Sequence, residues 1–312
     1  MRAVTIREGE VVIEEHPEPE PGAGEVLVQV RAAGLNGADM MQRRGLYPAP
    51  PGSPPDIPGL ELAGEVAALG AGAERFARGE RVMAIVGGGG QAELCVVHER
   101  QLMPVPAQLD WAAAGGLPEV FMTAHDALFG QAQLHPGERL LVQGGAGGVG
   151  TAAIQLARGA GASVTATVRH EQLRAAVTEL GATAIAPQDF IERGPFDVIL
   201  ELVGAPNLPG DVQALASGGR ITVIGVSAGA KAELNLLALM GKRARIHGST
   251  LRARPLEEKA VCARALEHEV LPLFEAGALR VPVAETFPLA RAPAAYERFA
   301  AGGKLGKIVL TV

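Results

Sequence analysis

From Glu25 to Ala33 the chain alternates, with Val26, Val28 and Val30 on one face, the period of a half-buried strand. Leu60–Leu69, Arg81–Val86 and Ala92–Val97 follow the same pattern, separated by Gly and Pro. Two proline-rich stretches, His16–Gly22 and Tyr47–Pro58, read as loops. Near Trp111 the pattern changes to apolar helical stretches alternating with short β-branched runs. Arg139–Gln143 and Ser163–Val168 read as strands around a helix at Val149–Arg158. Glu171–Leu180 reads as a helix stopped by Gly181, and Ile185 marks a short strand. Asp197–Val203 and Arg220–Val226 are nearly uninterrupted apolar runs, as strands buried on both faces should be. Arg245–Thr250 reads as the last strand of this series. Beyond about Leu251 a helix is expected over Glu257–Ala276, then strand-like pieces ending in Lys307–Thr311.

The βαβ alternation predicts an α/β chain with a doubly wound parallel sheet. We place that domain at 119–250, inserted into a β-rich domain built from 1–118 and 251–312. No internal repeat is visible; the likeness of Gly79-Glu80-Arg81-Val82 to Gly137-Glu138-Arg139-Leu140 reads as two similar turns before strands.

Composition narrows the function. Aromatic residues are 4% of the 312, so the core must be built from Ala, Val, Leu and Ile. The net charge of −6 lacks the basic surplus of a nucleic-acid or anionic-membrane binder. Two cysteines, Cys95 and Cys262, rule out a disulfide framework and suggest reduced thiols. The opening MRAVTIREGE is charged where a signal peptide is apolar, and no run approaches a membrane span. A soluble cytoplasmic protein is expected.

Gly145, Gly147 and Gly150 form a Gly-x-Gly-x-x-Gly pattern between a predicted strand and a predicted helix. In that setting the loop Gly145-Ala146-Gly147-Gly148-Val149 can approach a pyrophosphate at a helix N-terminus. The next strand ends Thr167-Val168-Arg169-His170, without the acid that usually accepts from an NAD ribose hydroxyl. A guanidinium there suits a 2′-phosphate, so NADP(H) is the expected cofactor, read by Arg169 with help from Thr167, His170 and Arg174. Glu171 is expected to open the following helix instead.

Several segments together resemble the zinc-free quinone oxidoreductases of the medium-chain dehydrogenase/reductase superfamily. They are Gly34–Asp39, Pro58–Glu61, Gly87–Leu94, Pro118–Ala124, the glycine loop and Gly306–Leu310. The resemblance implies a GroES-like substrate domain beside a Rossmann domain. Zinc members would carry Cys at position 36 and His at position 60, where this chain has Asn36 and Leu60, and Asp39 and Glu61 alone do not make a catalytic zinc site. The structural-zinc lobe is missing after Val86, and the seven histidines show no ligand spacing. No metal is expected.

The resemblance further implies that Asn36 lies beside the nicotinamide ribose or amide and Tyr47 over the substrate opening. Tyr47, Asn36 and Asp39 are therefore the catalytic candidates, with Asp39 also readable as a helix-start hydrogen bond. Thr123, Gly204, Gly225, Val226, Ser227, Thr250, Leu251 and Lys307 carry over as further cofactor positions. Relatives have a longer insertion at Pro187–Phe196, including a tyrosine near the 2′-phosphate. Without zinc, a quinone or activated alkene accepts hydride more readily than an alcohol is oxidised. The expected activity is NADPH-dependent quinone reduction, by hydride or single electrons. Reduction of α,β-unsaturated carbonyls is the alternative, and a dinucleotide-binding structural protein with little turnover is the alternative of another class. A homodimer through Arg245–Thr250 is expected, because an exposed edge strand is commonly covered.

Overall fold

The uninterrupted apolar runs become the centre of a six-stranded parallel sheet in the computed structural model, which describes residues 1–312. Across the sheet lie Thr183–Ile185, Ser163–Thr167, Arg139–Gln143, Phe196–Glu201, Leu215–Val223 and Arg245–Gly248, all parallel. Taken in chain order this is the 3-2-1-4-5-6 arrangement, whose direction of winding reverses between the first and fourth strands. Leu140, Leu141, Val142, Val198, Ile199 and Leu200 in those two strands are fully buried, which explains why neither run alternates. This sheet belongs to a unit formed by Thr123–Thr250 and Gly303–Gly306.

The other unit comprises Met1–Met122, Leu251–Gly302 and Lys307–Val312. Its larger sheet runs Val283–Pro288, Lys307–Thr311, Glu25–Gly34, Glu61–Leu69, Arg81–Ile85, Met103–Pro104, with Leu94–His98 also paired to Glu25–Gly34. Pairing is antiparallel except between Val283–Pro288 and Lys307–Thr311. The alternating valines Val26, Val28 and Val30 point into one core with Leu62, Val82 and Val97. Arg2–Arg7 and Glu10–Glu15 form a separate hairpin. No helix is long and apolar enough to cross a membrane.

Several expected elements differ, each for a local reason. The helix expected over Glu257–Ala276 is two helices, Leu256–Glu269 and Leu271–Glu275, because Pro272 cannot continue the first. The fourth strand ends at Glu201 rather than Val203, since the Val203 and Gly204 N–H groups turn back onto the Glu201 carboxylate. The fifth begins at Leu215 and ends at Val223, where Ile224 and Gly225 donate instead to the Glu201 carbonyl. Glu171 does open a helix, but its first turn, Glu171–Leu173, is 3-10, and the α-helix is Arg174–Glu179. Ala92 leaves the strand expected there and makes a single bridge to Ala3. The last parallel strand stops at Gly248 and pairs on one side only.

Candidate active site

Gly147 is the N-cap of the helix Gly148–Gly159, so the helix's unpaired N–H groups face the glycine loop. Gly150 permits close packing there: a Cβ on it would sit 2.5 Å from the Gly144 carbonyl oxygen and 2.8 Å from Gly145 Cα. A Cβ on Gly145 would meet Ala166 at 2.7 Å. Gly147 is different. It is exposed, and a Cβ on it would find only ordinary contact, 3.5 Å from the Gly144 carbonyl oxygen. The chain's own packing does not demand glycine at 147, whereas close approach of a pyrophosphate would. The residues present therefore fit a dinucleotide.

Arg169 is exposed at the end of the second strand, and its guanidinium lies 3.4 Å from His170 Nε2. Arg174 donates to the Val168 carbonyl at 3.3 Å, which brings a second guanidinium to the same strand end. Thr167 is not part of that group. It is buried, donates to Gln143 Oε1 at 2.8 Å and accepts from the Gly144 N–H at 3.0 Å, so it braces the loop from beneath. The turn Gly303–Gly306 also packs here, with Gly306 N–H donating to Ala146 at 2.8 Å. No local pattern announces that turn, which lies far along the chain from the loop it meets.

Gly204 has φ +111, and a Cβ on it would meet Val226 Cα at 2.8 Å; one on Gly225 would meet the Leu202 backbone. Both glycines let the loops after the fourth and fifth strands pack together. Val226 is half-buried, Ser227 and Thr250 are exposed, and Thr123 and Leu251 are buried.

In the other unit, Asn36, Asp39, Tyr47 and Lys307 converge with residues that the sequence reading left unassigned. Lys307 is 2% exposed and its Nζ lies 2.6 Å from Glu61 Oε1, itself fully buried. The ammonium also donates to Asn36 Oδ1 at 2.7 Å and to the Leu35 carbonyl at 2.8 Å. Asn36 Nδ2 donates to the same Glu61 oxygen at 2.9 Å, so its amide is committed on both sides. Glu61 Oε2 accepts the Glu119 N–H at 2.8 Å. Gly34 makes room for the pair, since a Cβ there would overlap Glu61 Oε1.

Asp39 is fully buried and accepts from the N–H groups of Asn36 at 2.8 Å and Gly59 at 3.1 Å, the first of these at its own helix start. Burial pushes its pKa up to about 6, opposed by those two hydrogen bonds and by the Lys307 and Arg252 charges. Arg252 is 3% exposed and donates to the carbonyls of Gly87 and Tyr47 and to Gln42 Oε1. Its guanidinium stands 5.2 Å from the centre of the Tyr47 ring, a cation–π contact that fixes this loop aromatic. Glu119 is partly exposed, but its Oε2 is buried without a hydrogen-bond partner. Burial, then the nearby Glu61 carboxylate, push the Glu119 pKa up to about 8. In the sequence Glu61 stood out only as a carboxylate insufficient for zinc, and Glu119 and Arg252 had no signal of their own beyond being ionisable.

No group of three or more His, Cys, Asp or Glu side chains is placed to hold a metal ion. Beside the positions where zinc members would carry ligands, the Glu61 carboxylate binds an ammonium and the Asn36 amide.

Comparison with known proteins agrees with this architecture. Residues 22–107 match the alcohol dehydrogenase GroES-like domain, and 147–310 match the zinc-binding dehydrogenase family. The quinone oxidoreductase of Rattus norvegicus is 31% identical over 304 residues, covering 94% of this chain and 90% of its own. The human quinone oxidoreductase is 32% identical with the same coverage. The chain belongs to the medium-chain dehydrogenase/reductase superfamily. Among solved structures, a Novosphingobium aromaticivorans protein described as of the alcohol dehydrogenase superfamily matches with TM-score 0.87 and 31% identity, over 100% of this chain and 99% of that one. An NAD-dependent alcohol dehydrogenase matches at TM-score 0.88 and 29% identity over the full length of both. This superfamily member thus combines a GroES-like domain with a Rossmann domain and is an oxidoreductase of the nicotinamide-dependent kind.

Two outcomes follow for the buried charges. Lys307→Met leaves Glu61 charged without its partner and should destabilise the fold by about 3–5 kcal/mol in denaturant titration. The double variant Lys307→Met/Glu61→Leu should recover much of that loss; a single variant as stable as wild type would contradict the pairing. Glu119 keeps a proton in the folded state that the unfolded chain releases, so its contribution to stability falls as pH rises from about 4.5 to about 8. Glu119→Gln removes that slope, and its Tm relative to wild type should rise across this window. A Tm difference that stays constant with pH would show that the buried acid is not protonated.

Proposed function

We propose that the protein is an NADPH-dependent quinone reductase that works without a metal ion. The observation that carries the metal-free reading is the Lys307 ammonium, held by Glu61 and Asn36 where a zinc site would need free donors. Without a Lewis acid an alcohol or aldehyde is poorly activated, whereas a quinone delocalises the charge it gains. That the rat and human relatives are quinone oxidoreductases supports a quinone as the acceptor. When bound, NADPH supplies the hydride; reduction of the quinone consumes one further proton.

The chain's part is to bind and orient. Gly145, Ala146, Gly147, Gly148 and Val149 take the pyrophosphate at the helix N-terminus. Arg169 and His170 read the 2′-phosphate, with Arg174 adding charge. Thr123, Gly204, Gly225, Val226, Ser227, Thr250 and Leu251 line the rest of the cofactor path. Lys307 and Asn36 form the polar floor at the nicotinamide. Tyr47, braced by Arg252, covers the acceptor, and Asp39 acts by fixing the helix start that carries Asn36. In this proposal the domain boundaries lie near 118 and 251, and the protein acts in the cytoplasm.

The test is NADPH oxidation with ortho-quinones, para-quinones and short alkenals side by side. Quinones should be preferred, chelators should leave the rate unchanged, and NADPH should exceed NADH by at least about tenfold in kcat/KM, the value of one charge-assisted hydrogen bond. Arg169→Ala should weaken NADPH and spare NADH. A strong preference for alkenals, recovery on zinc addition after chelation, or equal harm to both nucleotides would each reject the corresponding part. Tight NADPH binding with no turnover would mark a binding protein instead.

We also propose a homodimer. The edge strand Arg245–Gly248 follows the helix Leu236–Lys242, on which Leu236, Leu237 and Met240 are 65%, 77% and 70% exposed. Sedimentation at micromolar concentration should give twice the monomer mass, and Leu237→Glu should halve it. A wild-type monomer sinks this proposal.

A further inference from the structure

Beneath the glycine loop two buried carboxyl groups face each other without a donor between them. Glu201 ends the fourth strand and Asp211 lies on the helix Leu208–Ala214; both are fully buried. Glu201 Oε1 accepts from the N–H groups of Val203 and Gly204, the latter at 2.7 Å. Asp211 Oδ1 accepts from Gln143 Nε2 at 2.8 Å. Their remaining oxygens, Glu201 Oε2 and Asp211 Oδ2, are buried and have no hydrogen-bond partner, though the two side chains are within hydrogen-bonding reach of each other. Two ionised carboxylates in this position would repel and leave both oxygens orphaned, whereas one proton satisfies both. Glu201 already has two backbone donors on its other oxygen, which places the proton on Asp211.

With that proton in place, a directed chain of hydrogen bonds is complete. Gly144 N–H donates to Thr167 Oγ1 (3.0 Å) and Thr167 donates to Gln143 Oε1 (2.8 Å). Gln143 Nε2 donates to Asp211, and Asp211 donates to Glu201, which receives the Val203 and Gly204 N–H groups. The chain begins at Gly144, which leads into the glycine loop, and ends at the turn after the fourth strand.

We propose that Asp211 is a positioning residue of the dinucleotide site: as a neutral carboxylic acid it donates to Glu201 and locks the glycine loop to the Val203–Gly204 turn. The proposal rests on reading that loop as the nicotinamide dinucleotide site. Burial first, then the Glu201 carboxylate, push the Asp211 pKa up to about 9, with the Gln143 amide opposing. Glu201 is the ionisable group facing it from the fourth strand; Gln143 faces it from the first as a neutral amide. As an acid with a raised pKa, Asp211 keeps the bridge closed at neutral pH and opens it as pH rises through about 9.

The experiment measures the NADPH Kd from pH 7 to pH 10 for wild type, Asp211→Asn and Asp211→Ala, with circular dichroism as the check on folding. Asparagine can accept from Gln143 and donate to Glu201, so Asp211→Asn should bind within about threefold of wild type at pH 7 and lose the weakening above pH 9. Asp211→Ala breaks the bridge and should bind about tenfold more weakly, the value of a buried hydrogen bond. Over and above the Glu119 stretch, which stays in every variant, infrared difference spectra should show a second protonated carboxyl stretch in wild type at pH 7 that disappears in Asp211→Asn. Glu201→Gln, whose amide donates to Asp211, should also abolish it. Equal weakening by Asn and Ala, unchanged binding in Ala, or no loss of carboxyl stretch in any variant relative to wild type overturns the proposal. Should the Ala variant not fold, the infrared band and the Asn and Glu201→Gln variants still decide. If wild type binds neither NADPH nor NADH, the dinucleotide reading fails, while the infrared band separately reports whether the acid–acid bridge exists.

Discussion

An ammonium with almost no solvent contact holds the polar centre of the GroES-like unit. Lys307 lies on the last strand, Glu61 on a strand near the middle of the same sheet, and Asn36 at the start of a helix that precedes both in sequence. Removing two charges from water is costly, and the cost is recovered only if every partner is in position. The surrounding residues follow from that condition: Gly34 leaves space, the Glu119 N–H takes the second Glu61 oxygen, and Asp39 fixes the Asn36 backbone. In a superfamily that includes zinc enzymes, this chain has an internal cation of its own beside the carboxylate.

The Rossmann unit solves a different problem, that of bringing backbone close to backbone. Gly145 and Gly150 are demanded by steric contact within the chain, while Gly147 is not. Function and packing can therefore be separated within one glycine pattern. Below it, Thr167, Gln143, Asp211 and Glu201 join strand ends and a helix through side chains rather than backbone. A loop that must hold a charged ligand is steadied from the side opposite the solvent, where hydrogen bonds are strongest.

Much of this architecture was legible in the amino-acid order. Alternation marked the strands of the GroES-like sheet, and apolar runs marked the strands buried on both faces, because these periods follow directly from which faces are covered. Boundaries were less legible where a side chain captured the backbone: the fourth strand stops two residues early because Glu201 binds the N–H groups that would have continued it. The helix interrupted at Pro272 shows the reverse, a local signal that helical periodicity masked.

By itself the sequence determined the fold class, the glycine loop and the basic end of the second strand, since each depends on residues that are neighbours in the chain or on an invariant geometric period. Only the tertiary structure decided that Lys307 pairs with Glu61, that Thr167 supports the loop instead of joining Arg169, and that the Gly303–Gly306 turn packs on Ala146. It alone brought Asp211 to Glu201. The physical reason is that the protonation and pairing of a polar group depend on what surrounds it after burial. In an unfolded chain each of these groups is hydrated and equivalent to any other of its kind; folding removes the water and makes the remaining partner decisive.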